Sequence, residues 1–232
     1  MTAGIETISF ETCTADNLAQ QWTLRNAKLT SKHVFDDDEF RSYNLQLSSR
    51  DVKMLVADPT LELYVPCTFT TDYGTELAKT VTGAGCRYKG SVGSLRMCVD
   101  GATKKENGEC RKLSLKVDVN KFRQDSNNMN GLGKYVFNGM PVDYSLMSER
   151  VVYSLYQDAD ITSSRAVHAK IYVNGNFNGV YTMVENLDTG FMRRNFKNDD
   201  NEGRGGIYKD PWFNSISSVV DFFSSSVLLV FL

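Results

Sequence analysis

Two β-type runs separated by an asparagine- and glycine-rich loop place the strongest constraint on the fold. The first run, Ala166–Val173, reads AVHAKIYV, and the second, Val180–Glu185, reads VYTMVE. The residues between them, 174–179, read NGNFNG. Asn and Gly tolerate the left-handed backbone conformations that hairpin loops need, so the pattern predicts an antiparallel pair of strands. The chain is therefore expected to build its core around a sheet.

A further strand is clear upstream, where Arg111–Val119 reads RKLSLKVDV. Successive side chains of a strand point to opposite faces, so its four alternating apolar residues share one face. These residues are Leu113, Leu115, Val117 and Val119. Weaker strand patterns occur at Tyr43–Leu47, Glu62–Thr70, Val81–Met97 and Lys134–Phe137, and the third of these reads as strand, glycine-rich turn, strand.

One principal helix is predicted between these strands. Residues Tyr144–Gln157 carry apolar side chains at helical spacing, and Asp143 is placed to cap the first turn. The apolar stripe of this helix is expected to pack on the sheet. Shorter helices are expected at Ser48–Leu55 and Phe191–Phe196. The predicted fold class is α+β, with a mainly antiparallel twisted sheet and one principal helix.

Composition and charge exclude several classes of protein. The chain has 232 residues, of which 41% are hydrophobic and 23% charged, so it can bury a globular core. Its net charge of -2 leaves no general basic surface for a phosphate backbone, and no nucleic-acid partner is expected. No run of about 18 uncharged apolar residues occurs, which predicts no transmembrane segment. The start, MTAGIETISF, shows no signal peptide.

The five cysteines allow two interpretations. They are Cys13, Cys67, Cys86, Cys98 and Cys110, and no C-x-x-C pair suggests zinc or redox chemistry. The interval from Cys86 to Cys110, with Cys98 midway, can hold one disulfide if the protein is secreted. In a reducing compartment the same residues would be half-buried thiols. Because the total is odd, at least one thiol is free or pairs with another chain.

Two features of the sequence suit phosphate binding, and each has a plainer alternative. Gly90, Ser91 and Gly93 form a turn whose backbone N–H groups can approach phosphate oxygens, although the same glycines can simply make a tight turn. Lys116 lies on the polar face of its strand and Glu149 lies on the principal helix. A kinase pairs such a lysine with such a glutamate, but the residues alone favour an exposed strand lysine and an exposed helix glutamate.

Other titratable residues give no site. His33 and His168 have no metal-ligating or catalytic neighbours at suitable spacing, so both are expected to be structural. The loop 198–209 resembles a calcium loop in part, but Lys209 stands where a bidentate glutamate is needed. No metal site is therefore predicted.

The segment 173–188, VNGNFNGVYTMVENLD, is followed by Phe191 and then by GIYK at 206–209. This succession resembles the CotH family, the spore-coat-H-like atypical kinases, in which a VNGxxxGxYxxVExxD hairpin precedes a phenylalanine-containing helix and a GxLYK strand. Upstream segments at 58–66, 87–91, 113–116 and 143–150 also look like family landmarks. The resemblance spans residues 41–212. It leaves an N-terminal extension at 1–40 and a divergent hydrophobic, Ser-rich tail at 213–232.

The resemblance implies a protein-kinase-like N-lobe and a family activity that transfers phosphate from ATP, with Mg or Mn, to Ser or Thr of secreted or surface proteins. It also implies an extracellular or cell-surface location, and a protein substrate or surface partner. Mapped on a kinase, Lys116 would bind phosphate and Glu149 would hold it, the 90–94 turn would cover the phosphates, and residues 184–186 would form the hinge that meets adenine. The implied cofactor-binding residues are Lys116, Glu149, Gly90, Ser91, Gly93, Glu185 and Asn186.

One departure limits this expectation. In a kinase the catalytic-base Asp and the metal-binding Asp follow the hinge, and few residues follow Glu185. None of the acidic residues there can be assigned either role, so the catalytic residues are unknown. The catalytic C-lobe is expected to be largely absent, and the chain is expected to be incomplete and inactive alone. The alternative is a non-catalytic surface, coat or adhesion module on the same scaffold.

Overall fold

The computed structural model describes residues 30–90, 94–125 and 127–196. Seven strands and four helices follow one another in these ranges, together with two short 3-10 turns at Pro59–Leu61 and Arg96–Cys98. In chain order the elements are α1 (Ser31–Val34), β1 (Arg41–Gln46), α2 (Ser49–Ala57), β2 (Val65–Thr71), β3 (Lys79–Tyr88), β4 (Leu115–Asp118), β5 (Lys134–Asn138), α3 (Ser148–Asp158), β6 (Ala166–Val173), β7 (Asn176–Val184) and α4 (Thr189–Asn195).

The seven strands form one closed sheet in the order β1-β2-β3-β4-β5-β7-β6. Every neighbouring pair is antiparallel except β1 and β6, which are parallel and close the sheet. Closure pairs the backbone groups of both outermost strands, so neither offers an exposed edge to another chain. Among the described residues the fold is thus α+β, with a mostly antiparallel seven-stranded sheet and few helices.

Aromatic rings fill the interior of the closed sheet. Tyr43, Phe69, Tyr135 and Phe137 are each almost completely buried and lie against one another, with ring centroids as close as 4.9 Å for Phe69 and Tyr135. They come from β1, β2 and β5, where alternating side chains point inward. A disulfide between Cys67 and Cys86 joins β2 to β3 within this same core.

The long connection between β3 and β4 has a small core of its own. Leu95, Cys98, Val99 and Leu113 are buried together, and a second disulfide joins Cys98 to Cys110. All four cysteines among the described residues are therefore in disulfides rather than free thiols. Cys13 lies outside the described residues. The Cys98–Cys110 bond closes a loop within the connection, and Tyr88 at the end of β3 packs against this small core.

Local capping chemistry sets the starts of two helices. Helix α2 begins after Ser48, whose hydroxyl accepts the N–H of Asp51 at 3.1 Å. Helix α4 begins after Asp188, whose carboxylate accepts the N–H groups of Gly190 and Phe191. Side-chain oxygens at these positions satisfy backbone N–H groups that have no partner within the helix.

Most predicted elements are confirmed, and their bounds shift. The hairpin of β6 and β7 is tighter than the sequence suggests, because Asn174 and Gly175 both have positive φ and β7 begins already at Asn176. The strand predicted at the end of Val81–Met97 is wrong for residues 94–97, which form a turn and the start of a 3-10 helix. The GIYK segment at 206–209, which the family resemblance implies to be a strand, lies outside the described residues.

The principal helix differs most from its prediction. It begins at Ser148 rather than Tyr144, because the chain passes through a positive φ of 58° at Leu146. Asp143 still supports its start by accepting the N–H of Ser148 at 2.8 Å. The prediction that its apolar stripe packs on the sheet is wrong. Val151 and Leu155 are 44% and 59% exposed, while Glu149 and Arg150 lie half-buried against the sheet.

Within the described ranges, no helix has the length and apolar character needed to cross a bilayer. The predicted domain limits at residues 40 and 212 remain predictions. Val34 of α1, which precedes the first of these limits, is 1% exposed and belongs to the main core.

Candidate functional site

Among the predicted site residues that the structure describes, Lys116 lies on the outer face of β3, β4, β5 and β7, Glu149 lies on α3, and Gly90, Glu185 and Asn186 lie in the segments that follow β3 and β7. The strand register places Lys116 between Arg87 and Val136, and Val136 beside Val184. Neighbours along the strands, such as Val117 of β4, point into the core, so this row points outward. We call this surface the outer face. Its two ends are the segment after β7 and the turn after β3.

At one end of the outer face, the structure brings Lys116 and Asn186 together. Nζ of Lys116 donates a hydrogen bond to Oδ1 of Asn186 at 3.2 Å. The amide group of Asn186 in turn donates to Oδ2 of Asp188 at 2.8 Å. Because Asp188 also caps α4, the strand lysine, the segment after β7 and the start of α4 are fixed relative to one another.

A polar cleft of about 580 Å³ opens beside this contact. Glycines and polar side chains dominate its walls, and one amide oxygen in it, Oδ1 of Asn120, is buried without a hydrogen-bond partner among the described residues. A buried acceptor of this kind favours a donor from outside the protein. The polar side chains that line the cleft include Asp118, Asn120, Asn128, Lys134, Asn186 and Asp188.

Glu185 lines the same cleft but is engaged by the protein. Its carboxylate lies 2.7 Å from Nη2 of Arg165 and 2.6 Å from Nη2 of Arg194. Burial opposes ionisation, but hydrogen bonds and charges from both arginines outweigh it, and the pKa of Glu185 lies below its usual value. Its backbone N–H donates to the carbonyl of Arg165 at 2.8 Å. Glu185 therefore anchors the segment after β7, and its N–H is already used.

At the other end of the outer face, Glu149 meets Asn138 and not Lys116. Asn138 Nδ2 donates to Oε1 of Glu149, and Asn138 Oδ1 accepts from Nζ of Lys89 at 2.6 Å. Burial raises the pKa of Glu149, and the hydrogen bond from Asn138 and the charge of Lys89 partly offset this. In the described part of the chain, Lys116 and Glu149 form no ion pair, so the expected lysine–glutamate pair is replaced by a chain of three residues.

The turn after β3 requires glycine at its first position. Gly90 has a φ of 140°, and a Cβ atom there would lie 2.4 Å from Oγ of Ser94 and 2.8 Å from Cβ of Leu95. Its N–H donates to Oε1 of Glu62 at 3.1 Å, while Glu62 also binds the guanidinium of Arg87. The N–H of Gly90 is thus already bound. Ser91 and Gly93 lie outside the described residues.

Sequence reasoning missed two residues of this face, Lys89 and Asn138. Lys89 follows the last residue of β3, and its N–H donates to the carbonyl of Ser114 at 3.0 Å. Its position directly before the glycine turn was a usable signal. Asn138 is the last residue of β5, and no sequence pattern marks it. Its role depends on the packing of α3 against the sheet.

Both histidines contact neighbouring polar groups. Nε2 of His33 lies 3.2 Å from Oδ1 of Asp72. In His168, Nε2 lies 2.7 Å from the carbonyl oxygen of Leu146. Across residues 30–90, 94–125 and 127–196, no three His, Cys, Asp or Glu side chains are grouped as metal ligands.

These features define an α+β protein whose closed sheet carries a polar cleft on its outer face, with lysines at both ends of that face. A family model described as CotH kinase protein matches residues 86–218, which is more than half of the chain. The chain belongs to the CotH family. The match includes every predicted cofactor-binding residue, from Gly90 to Asn186. No curated protein matches the chain.

Proposed function

We propose that this chain binds ATP along the outer face, as part of the protein kinase activity of the CotH family. That activity is the ATP-dependent phosphorylation of Ser or Thr in secreted or surface proteins. The base would face the segment after β7 at Asn186, and the phosphates would face the turn at Gly90. Turn, strand lysine, helix glutamate and linker follow one another along the chain in the order that a kinase N-lobe uses.

The observation that carries this proposal is the hydrogen bond between Lys116 and Asn186 at the rim of the cleft. It puts a strand lysine beside the segment that corresponds to a kinase hinge. Val136 and Val184 lie next to it in the strand register, where they are 8% and 7% exposed, so most of their apolar surface is covered by the protein itself. The cleft is lined mainly by polar residues and glycines, with Leu132 and Phe191 as apolar members, which suits a nucleotide better than a purely apolar ligand.

The side chains described here fit a nucleotide better than an isolated metal ion. Mg²⁺ in nucleotide sites is held by few carboxylates together with the phosphates, so a dedicated cluster of acidic ligands is not required. We therefore expect Mg or Mn to arrive with the triphosphate. No described residue is assigned as catalytic base, and the proposal is limited to binding of the nucleotide.

Two disulfides support an extracellular or surface location. Cys67–Cys86 and Cys98–Cys110 are both formed, and such bonds persist in oxidising compartments. A secreted or coat-associated setting also agrees with the spore-coat association of the CotH family.

A thermal-shift titration tests the proposal. ATP with Mg or Mn is expected to raise the unfolding temperature, because a ligand that binds only the folded state stabilises it. Lys116→Ala is expected to lose this stabilisation. The matched control is Lys53→Ala on α2, an exposed lysine on a helix that contacts β2. A wild-type protein with no shift in either metal would overturn the proposal.

A non-catalytic surface or coat module is the second candidate, and one observation favours it. Helix α3 carries Val151, Val152, Leu155 and Tyr156, which are 43% to 59% exposed. An apolar surface of this kind is typical of protein–protein contacts. The two candidates are separated by the titration above, since only the first requires stabilisation by ATP.

A further inference from the structure

Lys89 is held between two carboxylates without forming an ion pair to either in the described part of the chain. Glu149 binds Asn138, and Glu62 binds Arg87. Burial lowers the pKa of the Lys89 ammonium, while the charges of Glu149 and Glu62 raise it and Arg87 lowers it. The net lowering indicates that these carboxylates do not fully compensate the cation.

The geometry of the ammonium leaves room for a further acceptor. A lysine ammonium has three N–H donors and no acceptor. The oxygen of Asn138 takes one donor, at 2.6 Å. The other two donors make no hydrogen bond to a described residue, and Lys89 as a whole is half-buried rather than enclosed. A partly desolvated cation with free donors favours a negatively charged oxygen.

Lys89 also has the right position for the phosphate end of the outer face. It immediately precedes Gly90, and Asn138 lies two residues from Val136, the register partner of Lys116. That separation along a strand is about 7 Å. Lys89 and Lys116 therefore mark two different places on the outer face, one beside the glycine turn and one beside Asn186.

We propose that Lys89, held by Asn138, is the residue that contacts the phosphates of the nucleotide, and that Lys116 serves the opposite end of the site. That the ligand is a nucleotide rests on the proposed function. That Lys89 binds the anionic part of the ligand rests on the contacts of Lys89. Asn138 is a positioning residue. Its oxygen accepts a hydrogen bond from Lys89 while its NH₂ group donates one to Glu149. Neither a carboxylate nor an apolar side chain can accept and donate in this way.

The test uses three probes with the full chain: Mg·ATP, Mg·tripolyphosphate and adenosine. Affinities are measured by calorimetry, and unfolding without ligand checks that each variant is folded. Lys89→Met is expected to weaken ATP and tripolyphosphate by about 10- to 100-fold, the usual effect of a lost charged hydrogen bond, and to leave adenosine unchanged. Lys89→Arg is expected to restore part of the affinity. Asn138→Ala should weaken the phosphate probes less than Lys89→Met does.

The probes separate the two proposals. If tripolyphosphate binds through Lys89 but ATP and adenosine do not bind, the proposed function fails, whereas the phosphate-binding role of Lys89 stands. If ATP binds equally to wild type and Lys89→Met, this inference is overturned and the proposed function stands. Absence of tripolyphosphate binding to the wild-type protein also overturns it.

Discussion

Arg165 donates two side-chain hydrogen bonds to Glu185, from Nε at 3.2 Å and from Nη2 at 2.7 Å. Glu185 is 5% exposed and ends the hairpin of β6 and β7, so this contact fixes the segment that leads to the cleft. Arg165 also lies over the ring of Phe35, with 4.4 Å between Cζ and the ring centroid. The pair of Arg165 and Glu185 thereby connects the start of β6, the end of β7 and the chain near α1.

Glu185→Ala is expected to destabilise the protein by about 3–5 kcal/mol, because it leaves two partly buried arginines without their carboxylate. Chemical unfolding in urea measures the change. The control is Asp125→Ala, which removes a carboxylate that also binds an arginine, Arg123, but is half-exposed. We expect that change to cost far less than Glu185→Ala does, because the solvent-exposed ion pair is screened by water. Equal losses for the two variants would contradict the anchoring role of Glu185.

The pH dependence of stability should reveal the burial of Glu149. Its pKa in the folded protein is raised above 4.5, so the folded state holds the proton more tightly than the unfolded state does. The contribution of Glu149 to the free energy of unfolding is greatest below the pKa of the unfolded state. It declines as the pH rises through the pKa of the folded state. Glu149→Gln keeps an acceptor for Asn138 and is expected to abolish this decline. Urea unfolding between about pH 4 and pH 8 compares the two proteins.

Glu185 has the opposite effect on the pH dependence of stability. Its folded pKa is lowered, so its stabilisation is present above 4.5 and is lost as the pH falls through the folded pKa. The effects of Glu149 and Glu185 occur in different pH ranges. Glu149→Gln is therefore expected to keep the loss of stability at low pH that Glu185 causes. A Glu149→Gln protein whose stability still declines above pH 4.5 as steeply as wild type would contradict the assignment.

The two disulfides should differ in their access to reductant. Cys67 and Cys86 are 5% and 1% exposed inside the closed sheet, whereas Cys110 is half-buried in the β3–β4 connection. Mild reduction followed by alkylation and mass spectrometry is expected to label Cys98 and Cys110 first. Replacing Cys67 and Cys86 together by Ala is expected to cost about 3 kcal/mol, from the loop that the bond closes. Earlier labelling of Cys67 or Cys86 would contradict this order.

The sequence predicted local structure well, and it did not reveal contacts between distant segments. Alternation in RKLSLKVDV identified β4, because the inward positions at Leu115 and Val117 must be apolar. Closure of the sheet depends on parallel pairing of Arg41 with Ala169 and its neighbours, which no local pattern encodes. The expected Lys116–Glu149 pair was not found for the same reason, since Asn138 and Lys89 meet Glu149 only after α3 packs on the sheet.

Gly90 offers a direct test of the turn at the phosphate end of the outer face. Its φ of 140° is strained for any residue with a side chain, and an added Cβ would meet Ser94 and the backbone of Leu95 at under 3.0 Å. Gly90→Ala is therefore expected to cost about 1–3 kcal/mol and to reduce the stabilisation by Mg·ATP. Gly101→Ala is the matched control, because it lies in the same connection and its Cβ would meet nothing within 4 Å. We expect that control to change the unfolding free energy by less than about 0.5 kcal/mol. A Gly90→Ala protein as stable as the control, with unchanged binding of Mg·ATP, would show that the turn does not shape the site.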